Sequence, residues 1–103
     1  MDREEALHYI FKKLSEFYQS SHDDETGKLL GDIDPTFKLY ESAKTADPAA
    51  WHDWLKAVDT VTLAEDVTET EARAAILALM DEYNRHHGFK LKHAIKYVKK
   101  LKS

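Results

Sequence analysis

The chain has 103 residues, 43% of them hydrophobic and 33% charged, with three glycines, two prolines and no cysteine, a length and composition that predict one compact helical domain spanning 1–103. The missing cysteine excludes disulfides, thiolate zinc sites and cysteine nucleophiles, and fits a reducing compartment. A formal net charge of −4 conceals a segregation: residues 1–84 hold 8 Lys and Arg against 19 Asp and Glu, a balance of −11, while residues 85–103 hold 7 Lys and Arg and no acid.

The charged start Met1-Asp2-Arg3-Glu4-Glu5 runs directly into an amphipathic pattern, with no apolar stretch long enough for a signal peptide or a membrane span. A cytoplasmic protein is expected. Asp2 with Glu5 reads as a capping box, and Leu7, Ile10, Phe11, Leu14, Phe17 and Tyr18 recur at three- and four-residue steps on one helical face. This helix should end near Gln19 or Ser20. Asp23 or Asp24 can cap a short helix carrying Leu29 and Leu30, with Gly31 near its end and Asp34-Pro35 as a turn. Phe37 to Tyr40 is too short for periodicity to decide between a helical turn and an extended piece.

Asp47 before Pro48 is an N-cap with proline at the first helical position, followed by the apolar stripe Trp51, Trp54, Leu55 and Val58. The β-branched run Thr60-Val61-Thr62 should close that helix. Thr68 with Glu71 forms a second capping box, continued by Ala72, Ala75, Ile76, Leu79, Met80 and Tyr83, and Gly88 offers a left-handed end with Phe89 folding back. A last lysine-rich helix carries Leu91, Ala94, Ile95, Val98 and Leu101 to about Lys102. Together these elements predict an all-α fold, a small irregular bundle of four to five helices.

Candidate chemistry is sparse. His86 and His87 are adjacent, so they point about 100° apart on a helix and cannot act as an i, i+4 metal pair. His52 beside Asp53 has the same defect, and the acidic stretch lacks the alternating oxygens of a calcium loop. No catalytic residue, metal ligand or cofactor site is expected. The residues that suggest contact are Asp23, Asp24, Glu25, Asp32 and Asp34 in one acidic region, and Trp51 with Asp53 on the tryptophan helix, since tryptophan is the residue type most enriched in binding hot spots. The same residues also serve as caps, solvated charges and core.

The terminal Arg85, Lys90, Lys92, Lys96, Lys99, Lys100 and Lys102 could release counterions from a phosphate backbone. Against nucleic acid stand a single arginine, no aromatic interleaving beyond Tyr97, and an acidic body that repels a polyanion. The basic face is expected to be solvated or paired within the chain. The stripe is a core-facing one without tryptophan, which argues against a membrane surface.

Two stretches carry a resemblance: Asp23-Asp24-Glu25-Thr26-Gly27-Lys28-Leu29-Leu30-Gly31-Asp32 and Ala46-Asp47-Pro48-Ala49-Ala50-Trp51-His52-Asp53-Trp54-Leu55. Over about the middle third of the chain they resemble small bacterial proteins of unassigned function and the immunity proteins of contact-dependent growth inhibition and related polymorphic toxin systems. The resemblance implies a cytoplasmic, non-catalytic binder that occludes the active site of a protein toxin, often a basic nuclease. An acidic surface suits that role through electrostatic steering. The alternative from the residues themselves is a regulatory or adaptor protein that binds nucleic acid or an acidic partner through the basic C-terminal helix.

Overall fold

A helix starts readily where a side chain takes over backbone N–H groups that have no intrahelical partner. The computed structural model describes residues 1–37 and 41–101, and four of the five helices among those residues begin this way. Helix α1 (Arg3–Ser21) opens on the Asp2–Glu5 capping box, and α2 (Asp24–Ile33) on Asp23. Helix α3 (Pro48–Asp59) opens on Asp47, which accepts from the Ala49 N–H, and α4 (Glu69–His86) on the Thr68–Glu71 box. Helix α5 (Lys92–Lys100) alone has no side-chain cap; Leu91 occupies the cap position.

The ends differ slightly from the sequence pattern. Helix α1 continues to Ser21, because His22 takes a left-handed φ of 54° and donates its N–H to the Tyr18 carbonyl. Gly88 has the expected positive φ, 71°, and lets Phe89 turn back to donate to the Tyr83 carbonyl. Helix α5 stops at Lys100; Lys102, like Lys38, Leu39 and Tyr40, lies outside the described residues, which leaves the Phe37 to Tyr40 question there. No strand occurs among the described residues. The fold is an all-α small bundle.

One core cluster draws on every helix: Leu7, Ile10 and Leu14 from α1, Leu29 and Ile33 from α2, Trp54 and Val58 from α3, Ile76 and Met80 from α4, Ala94 and Val98 from α5. Helix α1 packs on all four other helices, and α4 packs on α3, α1 and α5. Trp54 is fully buried and donates its indole N–H to the Arg3 carbonyl at 2.9 Å, so its polar atom is satisfied inside the core. Trp51 is only partly buried against the same cluster. Gly27 marks where α2 approaches α1: a Cβ there would lie 2.8 Å from the Tyr18 ring.

Two long-range ties set the entry to α4. Met1 and Val67 exchange backbone hydrogen bonds, the Met1 nitrogen donating to the Val67 carbonyl at 3.1 Å. Arg3 donates to the Asp59 carboxylate at 2.7 Å and to the Thr62 and Ala64 carbonyls, stitching the α3–α4 connection to the start of α1.

Candidate functional site

The acidic residues picked from the sequence divide between fold and surface. Asp23 spends one carboxylate oxygen on the Thr26 N–H at 3.1 Å and the Thr26 hydroxyl at 2.6 Å. Glu25 accepts from the Lys90 N–H at 2.8 Å and from the Lys28 ammonium at 3.3 Å, which latches α2 to the α4–α5 link. The Lys90 bond, the larger cause, holds the Glu25 carboxyl below its usual value. Asp34 accepts from the Thr36 N–H and hydroxyl and from the Phe37 N–H, closing the turn after α2. Asp24 is exposed in the first turn of α2, where a negative charge favours the helix dipole.

A ten-residue helix is about 15 Å long, so α2 separates Asp23, Asp24 and Glu25 at its start from Asp32 and Asp34 at its end. Of these, only Asp32 shares surroundings with Asp53, both charges acting on Tyr83. The Asp32 carbonyl accepts from the Asp47 N–H at 3.1 Å, bringing the start of α3 to the end of α2. One turn into α3, Asp53 accepts from the Tyr83 hydroxyl of α4 at 2.8 Å. Helices α2 and α3 thereby bring three carboxylates, Asp32, Asp47 and Asp53, close enough for their charges to act on Tyr83 of α4.

The electrostatics register the crowding. Burial, followed by the neighbouring Asp47 charge, raises the Asp32 carboxyl above its ordinary value. Burial and the Asp53 carboxylate push the Tyr83 phenol far up, so it stays a protonated donor. Beside this group, α3 and α4 enclose a half-open cleft of about 470 Å³. Ala57, Ala78 and Leu79 supply its apolar lining, and Asp53, Glu82 and Tyr83 its oxygens, with Lys56 and His87 at hand. Such a cleft can receive an alkyl chain ending in a cation, its stem against the apolar wall and its head among carboxylates.

No family model, curated protein or solved structure matches the chain.

Asp47, Glu82 and Tyr83 escaped the sequence reading as members of a site. Asp47 is recognisable as a cap and Tyr83 as a core residue, but the Tyr83–Asp53 bond spans thirty residues and has no local signature. Among the described residues, no group of three histidines, aspartates or glutamates is placed to hold a metal ion. His86 pairs with Glu82 at 3.6 Å one turn back, and the His87 ring stands edge-on to Tyr83 at 4.8 Å.

The basic segment is a separate surface. Arg85 pairs with Asp81 at 3.1 Å. Among the described residues, none of Lys90, Lys92, Lys96, Lys99 and Lys100 forms an ion pair, and all five are exposed. Of the two arrangements the sequence left open, solvated or internally paired, these lysines adopt the solvated one. No described helix is long and apolar enough to cross a membrane.

Proposed function

We propose that this chain is a cytoplasmic, non-catalytic immunity protein that binds a basic protein toxin and blocks its active face. The observation that carries this reading is the convergence of Asp32, Asp47 and Asp53 on Tyr83 beside the α3–α4 cleft. Carboxylates held close together repel one another, and burial followed by the Asp47 charge raises the Asp32 carboxyl, with Lys28 and His87 offsetting part of the effect. A cationic partner relieves that repulsion on binding, and the same field accelerates encounter.

The test uses the product of the reading frame encoded beside this chain. The purified proteins should form a complex whose affinity falls with salt, and an excess of this chain should protect the toxin's substrate. No complex between the two at low salt overturns the reading.

The unpaired lysines of α5 favour a second reading, a regulatory or adaptor role through that helix. It needs a different partner chemistry, because its surface has the opposite sign.

A further inference from the structure

We infer that the outer face of α5 is a docking site for a short acidic peptide segment bearing an aromatic side chain. This rests on the second reading and names the partner it leaves open.

The charge on α5 stands where the helix itself disfavours it. The amino end of a helix carries partial positive charge, which suits acids and disfavours cations. Here Lys92 is the first helical residue, Lys90 lies just before it, no acid occurs in the first turn, and no side chain caps the end. Only Lys99 and Lys100, in the last turn, have a dipole rationale. The apolar side of the helix is already used, with Leu91, Ala94 and Val98 buried. Glu25 stands at the amino end of α5 through the Lys90 N–H and the Glu16 charge reaches Tyr97, but among the described residues the α5 ammonium groups themselves form no ion pair, so the lysine face is available to an anion.

The surroundings define which anion. Phe17 of α1 and Tyr97 of α5 stack with ring centroids 4.7 Å apart, and together with His93, Lys96 and Lys100 they line a depression of about 230 Å³. Both rings are partly exposed, so a third ring can join the pair while carboxylates reach the flanking ammonium groups. The patch is also bounded. From Lys92 to Lys100 the helix rises about 12 Å. Beyond Phe17 and His93 the next depression is lined by Asp23, Asp24 and Glu25. A long polyanion continuing in that direction would run onto carboxylates, whereas a short acidic segment ends before it meets them. Lysine point charges without arginine forks also provide no base-reading geometry.

The experiment titrates the full chain with two fluorescein-labelled probes, a short aspartate-rich peptide with one central tryptophan and an oligothymidylate of similar charge. The peptide should bind more tightly than the oligonucleotide, with an affinity that declines as salt rises. The double variant Lys96→Glu/Lys100→Glu should weaken peptide binding at least tenfold with its circular dichroism unchanged, and replacing the tryptophan by alanine should weaken it severalfold. Tighter binding of the oligonucleotide overturns the peptide assignment and leaves the basic-helix reading standing. Binding of neither probe overturns both. Peptide affinity indifferent to the double variant removes α5 as the site.

Discussion

The acidic end of the bundle and the basic helix α5 are both dense in charge, yet they treat it differently. Around α2 the carboxylates are largely employed by the fold: Asp23 caps, Glu25 latches onto the Lys90 N–H, Asp34 closes a turn and Asp53 accepts from Tyr83. On α5 none of the described lysines has an intramolecular partner. Charge tied into hydrogen bonds contributes to stability, while exposed, unpaired charge contributes little to it and remains available for contact. Asp32 differs from both, since it is partly buried and burial, its largest cause, raises its carboxyl above the ordinary value.

Substitutions can break or sharpen that contrast. The largest effect is expected at Asp53→Ala, which leaves the part-buried Tyr83 hydroxyl without its acceptor. Chemical denaturation should register a loss of about 1.5–2 kcal/mol, the lower part of the range for bonds to charged groups because Asp53 is half-exposed. Asp23→Ala removes a helix cap and should cost about 1 kcal/mol by the same measurement.

Asp32→Asn should act in the opposite direction. A carboxyl with a raised folded pKa favours the protonated form in the native state, so its contribution is present below the unfolded pKa and fades as pH rises through the folded value. At neutral pH the ionised group is a burden, and thermal melts should show the asparagine variant slightly more stable than the parent. That advantage should vanish under acid conditions. Glu25→Gln should show the reverse sign, because Glu25 is held low: its contribution is present above the unfolded pKa and lost as pH falls through the folded one. The smallest effect is expected for Lys96→Ala, within about 0.5 kcal/mol of the parent in denaturation, as for an exposed side chain without a partner.

How much of this was legible in the sequence follows from the range of each interaction. Caps are local, so Asp2, Asp47 and Thr68 announced three helix starts and Gly88 the turn after α4, and all four stand where the pattern put them. Apolar periodicity likewise predicted the all-α class and most of the core stripes. It did not separate Trp54, fully buried, from Trp51, partly exposed, because both lie on one helical face and burial depends on what packs opposite. The acidic region and its split along a short helix were visible, but the grouping of Asp32 with Asp47, Asp53 and Tyr83 was not. That grouping depends on the Asp32–Asp47 backbone bond and on Tyr83 reaching Asp53, contacts set by tertiary packing. The Phe17–Tyr97 pair joins opposite ends of the sequence and was hidden for the same reason.

The most direct measurement compares Asp32→Asn with the parent in two assays at once, melting temperature and calorimetric affinity for the product of the neighbouring reading frame proposed above as the partner. A carboxylate kept for binding at the expense of the fold predicts a higher melting temperature together with affinity weakened about tenfold. A variant that binds that proposed partner as tightly as the parent does would contradict it.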